Sequence, residues 1–407
     1  MRLSPPGYSG TGLTGFSIVT ILFVLLTASL VAIISRRARL PYSVGLVTAG
    51  IVLALLPNGI DLPLTRGLIF SVFLPPLIFE AALQLKWADF RRDLPLTATL
   101  AFPGVVIAAA FVAAAMHLLV GWSWIGAAFF GILIAATDPV SVIASFKEMK
   151  AEPRLSMVVE SESLLNDGAA AVGFSLLVAI VSDGAVTPGA IAGALIWTAV
   201  GGVAVGLAVA GVMLVISGRT EDHLVEITLT TIAAYGSFLA AEHFHMSGVL
   251  ASLAAGLLFG NADGKRGISK SGRPYVSAFW EYAAFLVNSF VFILIGGHEA
   301  HQPIHLVSGM AAVAILVVLF GRALAVYPLS ALFSRTAVKV DIRCQHVLVW
   351  GGLRGALALA LALALPTVVP EQHQIVVVSF AVVAFSIFVQ GLTMPWLLRR
   401  FGLLGKG

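Results

Sequence analysis

Three short stretches of this chain hold side chains whose types and spacing could do chemistry. They are Ala136-Thr137-Asp138-Pro139-Val140, Glu160-Ser161-Glu162-Ser163-Leu164-Leu165-Asn166-Asp167-Gly168 and Trp350-Gly351-Gly352-Leu353-Arg354-Gly355-Ala356. All three interrupt strongly apolar runs, where an ionised side chain is costly unless paired or hydrated and therefore marks a functional candidate. Pro139 has no amide hydrogen and clashes with the carbonyl of Ala135, so a helix should break or kink there and free backbone carbonyls. Those carbonyls, the Thr137 hydroxyl and the Asp138 carboxylate are hard oxygen donors, which suit a small cation such as Na+ better than a soft metal. The alternative is that Asp138 caps a half-helix whose first turn holds the proline.

In the second stretch, helical spacing puts Ser163 and Asp167 on one face and Glu162 and Asn166 on its neighbour. If the helix enters the bilayer near residue 155, Asp167 lies about 18 Å in, near the midplane. Glu160 sits closer to the mouth, as part of an access funnel or simply at the interface. In the third stretch the glycines allow unwinding and close helix crossing. Arg354 cannot give up its proton, so it needs a carboxylate or carbonyl oxygens. Glu162 is the expected partner in a structural ion pair that leaves Asp167 free to titrate; contact of Arg354 with substrate is the alternative.

The elements that must position these groups follow from composition. Of 407 residues, 59% are hydrophobic and only 11% charged, against roughly 25% charged in an ordinary soluble domain. The apolar surface is too large to be covered in water, so the solvent is a bilayer. This excludes a disulfide scaffold, a disordered tail or a nucleic-acid binder, and Cys344 is the only cysteine. Hydrophobic runs of span length lie at about 15–35, 41–57, 66–85, 95–120, 121–145, 155–182, 187–217, 224–243, 246–262, 276–297, 303–333, 344–365 and 373–398, thirteen in all. The first is preceded by MRLSPPGYSGTG, which lacks the basic region and cleavage site of a secretory signal, so it counts as a span.

Orientation follows from the basic residues, because Lys and Arg of short loops stay on the cytoplasmic side. Of the 24 Lys and Arg, 20 fall after odd-numbered spans. The N-terminus is therefore expected outside and the C-terminus inside, with the chain in the plasma (inner) membrane. Spans 1–6 and 8–13 would be offset by an odd number of helices, which makes them two inverted six-helix repeats. That plan builds secondary transporters whose site lies near the midplane on interrupted helices, here spans 5 and 12. The expected class is thus an all-α polytopic membrane protein in a single domain, 1–407.

Other embedded charges carry weaker signals. Pro75 and Pro76 must kink span 3, where Glu80 could face cytoplasmic water. Glu226 and Glu281 lie early in their spans and are expected to snorkel to the interface. Arg322 should reach a headgroup or one of these acids. His298, Glu299, His301 and His305 have a spacing that could bind a metal, but a solvated loop is the expectation.

TDPV, ESLLND and GGLRGALALA, in that order on spans 5, 6 and 12, resemble the monovalent cation:proton antiporters of the NhaP and Na+/H+ exchanger type. FLPPLIFEAAL, EITLT, FWEYAAFLVNSFVFILIG and QGLTMP extend the likeness over nearly the whole chain. The resemblance implies that Asp167 is the aspartate that carries protons and cations in turn. It makes Thr137, Asp138, Ser163 and Asn166 its neighbours in the ion site, with Na+ at Asp138, Ser163 and Asp167, and makes Glu162 and Arg354 a structural pair. Asparagine rather than aspartate at 166 resembles the electroneutral members, which exchange one cation for one proton. The family is homodimeric. Its moving core corresponds to about 95–182 and 303–398, and its scaffold to about 15–85 and 187–297. No cofactor is implied; the partners are Na+ or Li+, H+ and the bilayer, and the role is pH and sodium homeostasis.

Two rival readings remain. A channel needs a continuous water path with repeated sites, and no repeated pore motif occurs. An intramembrane aspartyl protease also uses two aspartates on adjacent helices, but the Gly-x-Gly-Asp signature of such enzymes is absent.

Overall fold

The computed structural model of the chain describes residues 18–38, 40–56, 65, 67–138, 142–143, 146, 149–183, 187–262, 267–300 and 308–404. Helices form at every apolar run: α1 (Ile18–Ala38), α2 (Tyr42–Leu55), α3 (Leu68–Gln84), α4 (Trp87–Val120), α5 (Trp124–Ala135), α6 (Pro153–Asp183) and α7 (Pro188–Ser217). There follow α8 (His223–His243), α9 (Gly248–Asn261), α10 (Arg273–Glu299), α11 (Ser308–Leu332), α12 (Ile342–Trp350), α13 (Ala356–Leu363) and α14 (Gln372–Phe401). Among the described residues eight helices are long and apolar enough to cross a membrane, while α2, α3, α5 and α9 are apolar but shorter. The run at 344–365 is split into α12 and α13 by the glycine-rich stretch, as the sequence predicts. The other expected interruption also falls in place, because α5 stops at Ala135; Pro139 itself lies outside the described residues.

Local chemistry explains most helix ends and irregularities. Ser123, Asp222 and Ser247 cap α5, α8 and α9 with side-chain oxygens, each accepting from a first-turn amide. Pro75 and Pro76 follow a π-helical turn, Leu68–Phe73. Pro76 cannot donate to the Val72 carbonyl, and the Tyr235 hydroxyl donates to it instead at 3.0 Å. A second π-turn, Ser386–Gly391, likewise precedes Pro395 within α14.

Small residues let the helices approach closely, as membrane interfaces require. A side chain at Gly296 would strike the Val47 carbonyl, and one at Gly50 the Ile293 carbonyl, so α2 and α10 cross backbone to backbone. Gly256 and Gly260 do the same for α9 on α3, and Gly131 for α5 on α4. The most extensive packing joins α4 to α11, α5 and α6, and α2 to α10; α9 packs on α3, α7 and α8.

The basic loops meet at one end of the molecule. Asp93, fully buried, is held by Arg154 at 2.7 Å and Arg92 at 2.9 Å, and Arg154 donates on to the Lys339 carbonyl at 3.1 Å. Ala151 forms an isolated bridge with Leu404, and the Asn261 side chain ties α9 to the Leu85 carbonyl and the Trp87 amide. The segments after α3, α5, α9, α11 and α14 therefore share this basic end.

Candidate functional site

The two interrupted stretches cross in the middle of the bundle. The Asp138 amide donates to the Leu353 carbonyl at 2.8 Å, so the extended backbones after α5 and before α13 pair directly. Of the glycines flanking Leu353 and Arg354, Gly355 is required by this crossing and Gly352 by the neighbouring Arg322 side chain. A Cβ on Gly355 would fall on the Asp138 carboxylate, and one on Gly352 would lie 2.8 Å from Arg322 Nε.

The end of α5 leaves carbonyls that no helical amide reaches. Arg354 Nη1 donates to two of them, Ala135 at 2.9 Å and Ala136 at 3.1 Å, placing a fixed positive charge on the negative end of the half-helix. The expected pairing of Arg354 with Glu162 is therefore not what the structure contains. Glu162, 1% exposed, is paired instead with Arg322 of α11, Nη1 to Oε1 at 2.7 Å and Nη2 to Oε2 at 2.9 Å. The physical reason is geometric: two orphaned carbonyls occupy the Arg354 guanidinium, while the fork of Arg322 fits both carboxylate oxygens at once. Arg322 also donates to the Leu348 carbonyl near the end of α12, at 3.1 Å. Each interrupted run thus ends its first half-helix under an arginine. The expectation that Arg322 meets a headgroup, Glu80, Glu226 or Glu281 is corrected by the same contact.

Around Asp167 the hydroxyls and amide form a short chain. Thr137 Oγ1 and Ser163 Oγ lie 3.0 Å apart, Asn166 Nδ2 donates to Thr137 Oγ1 at 3.1 Å, and it approaches Glu162 Oε1 at 3.4 Å. Asp138, Glu162 and Arg354 all lie within electrostatic reach of Asp167. Two buried oxygens of the site, Asp167 Oδ1 and Asn166 Oδ1, have no hydrogen-bond partner among the described residues.

A cavity of about 620 Å³ reaches this point. Asp138, Asp167, Thr137, Glu160, Glu80 and Glu281 contribute to its wall, which contains no basic side chain among the described residues. Gln84 and Glu281 on the wall are exposed, and Gln84 stands two residues before Lys86, so the cavity opens at the basic end. Ser163, Asn166 and Glu162 are buried behind the wall rather than on it. Glu281, expected at the interface, is exposed, and it also faces the cavity together with Asn288. The signal for this was their spacing of seven on one helix, two full turns along a single face. Glu226 does not snorkel: it is fully buried and accepts from the Ser269 amide at 2.8 Å beside the start of α10. His298 packs against Phe380, and His301 and His305 lie outside the described residues.

The family model described as "Sodium/hydrogen exchanger, transmembrane" matches residues 24–400. The chain belongs to the sodium/hydrogen exchanger family. Its curated relatives include the Na+/H+ antiporter NhaS2 of Synechocystis, 37% identical over 94% of this chain and 70% of that protein. The Na+/H+ antiporter NhaP of Pseudomonas aeruginosa is 32% identical over 93% of this chain and 95% of its own length. Among solved structures, the sodium proton antiporter MjNhaP1 from Methanocaldococcus jannaschii superposes with a TM-score of 0.75, covering 96% of this chain and 99% of that one. At 19% identity that match establishes a shared fold. As a member of this exchanger family built from apolar helices, the chain is a multi-pass membrane protein.

Proposed function

We propose that this chain is a secondary active antiporter that exchanges Na+, or Li+, for H+, one for one, across the plasma (inner) membrane, in the service of pH and sodium homeostasis. The observation that carries the reading is the Asp167 carboxylate. It stands on the wall of an acid-lined cavity, beside Asp138 and Thr137, where two interrupted helices cross, and one of its oxygens is buried without a hydrogen bond. The family and the activity named for its relatives support the same reading.

One carboxylate that holds a proton or a cation, but not both, couples the two fluxes by competition. Asp138, Thr137, Ser163 and Asn166 complete the oxygen donors around the cation, with Na+ between Asp138, Ser163 and Asp167; this requires the Thr137–Ser163 hydrogen bond to open toward the ion. Glu80, Glu160 and Glu281 form the access funnel, whose uniform charge concentrates cations near the site. The Glu162–Arg322 pair and the Arg354 cap on α5 hold the crossing in register. Alternating access then exposes Asp167 to each side in turn, as a core at about 95–182 and 303–398 moves against a scaffold at about 15–85 and 187–297. In this reading the chain has thirteen spans, two inverted repeats, an outer N-terminus, an inner C-terminus and a homodimeric assembly.

The test is a proteoliposome assay with a trapped pH dye, in which Na+, Li+ or K+ is added outside. A cation-dependent pH change in the wild type that is lost in Asp167→Asn, with both proteins folded, supports the assignment. Retained exchange in Asp167→Asn would remove that residue from the carrier role. No pH change with any cation from folded wild type would overturn the antiporter reading.

A further inference from the structure

A second cavity, of about 500 Å³, opens at the basic end and has the opposite chemistry to the first. Trp87, Asn261, Ile268, Lys270 and Arg273 line it, and no carboxylate is among its described lining residues. Lys270 and Arg273 are exposed, and Trp87 keeps 45% of its surface exposed at the point where α4 leaves the connection from α3. Trp is the residue that anchors at the headgroup level of a bilayer, with its ring among acyl chains and its N–H toward water. Two cations beside such a ring, at the end where the basic loops gather, match the groups that meet a lipid phosphate.

The pocket is also built rather than accidental. Asn261 Oδ1 accepts from the Trp87 amide at 2.7 Å, and Asn261 Nδ2 donates to the Leu85 carbonyl at 2.8 Å, which fixes the α3–α4 connection against the end of α9. Arg273 donates to the Gly260 carbonyl at 3.1 Å and the Ala262 carbonyl at 3.3 Å. Those bonds use part of a five-donor guanidinium and hold it at the pocket, where no acid stands among the described lining residues.

We propose that this pocket binds the phosphate of an anionic phospholipid headgroup from the leaflet at the basic end, with Lys270 and Arg273 as its cationic partners and Trp87 seated among the upper acyl carbons. The site lies where α4 meets α9 and α10. Trp87 opens α4, most of which belongs to the moving core, while Asn261, Lys270 and Arg273 belong to the scaffold, so the affinity for a headgroup changes when α4 moves against α9 and α10. That last step rests on the alternating-access reading above; occupancy of the pocket does not.

The test is tryptophan quenching in the full chain, reconstituted in phosphatidylcholine vesicles containing either brominated phosphatidylglycerol or brominated phosphatidylcholine. The wild type should be quenched preferentially by the brominated phosphatidylglycerol, and Trp87→Phe should lose that excess quenching. Lys270→Ala should lower the relative affinity for phosphatidylglycerol about fivefold, the effect of one cation at a membrane surface. Arg273→Lys, which keeps the charge but loses the fork to the carbonyls, should retain the preference; Lys270→Ala carries the test alone if that variant folds poorly. Equal quenching by the two lipids, an unchanged preference in Lys270→Ala, or displacement of the lipid by millimolar inorganic phosphate would each overturn the proposal. The readout needs no ion transport, so its failure is distinct from failure of the antiporter reading.

Discussion

Replacing Arg322 with Met leaves Glu162 as a carboxylate that is 1% exposed and has lost both of its strong donors. Removing one partner of a buried pair costs about 3–5 kcal/mol, because the remaining charge is desolvated and uncompensated. The Leu348 carbonyl also loses its Arg322 donor, at about 1 kcal/mol. Taking about 5 kcal/mol in all, and an unfolding entropy of about 2.1 cal/mol/K per residue, the melting midpoint of this 407-residue chain should fall by roughly 6 °C. The assay is thermal unfolding in detergent for Arg322→Met, Glu162→Gln and the double variant. The pair should show a coupling of about 2 kcal/mol or more, with the double variant recovering much of the loss, since it buries only neutral groups. Arg354→Met should also destabilise, through the carbonyls of Ala135 and Ala136, but its coupling to Glu162→Gln should be clearly smaller than that of Arg322→Met, because the hydrogen bonds of Glu162 run to Arg322. Strong coupling of Glu162 to Arg354 with none to Arg322 would refute the assignment of partners.

Gly355→Ala places a methyl group on the Asp138 carboxylate and should cut cation-driven proton flux at least tenfold, with folded protein still recovered; near-normal flux would mean that Asp138 can leave the crossing without consequence. Glu281→Gln should raise the apparent Michaelis constant for Na+ at low ionic strength, and the difference should shrink toward wild type as salt screens the funnel. Tyr235→Phe removes the donor to the Val72 carbonyl and should cost about 1 kcal/mol in thermal stability, with cation selectivity unchanged in the pH-dye assay. An imposed membrane potential should leave the steady-state exchange rate unaltered if one cation replaces one proton; a strong dependence would contradict the electroneutral reading of Asn166.

Much of this protein was legible from one dimension. A hydrophobic fraction of 59% forces the chain into a bilayer, and Lys and Arg recur after every second apolar run; of these loops, the structure brings those after α3, α5, α9, α11 and α14 together at one end. The glycines around Arg354 announce an interrupted helix because only residues without a Cβ can let Asp138 and Arg322 come so near. The acids Asp138 and Asp167 are conspicuous because charge inside an apolar run is rare and expensive. Partner choice was not legible. Glu162 and Asp138 lie on segments that meet α11 and α13 only after folding, and which arginine reaches which oxygen depends on guanidinium reach and on carbonyls left orphaned where α5 and α12 stop. A sequence shows that Arg354 needs an acceptor, but not that the end of α5 supplies two of them. The same limit hid the place of Glu281 on the cavity wall and the burial of Glu226: both stand near the start of a helix, and only the packing of neighbouring helices decides which end in water and which is enclosed.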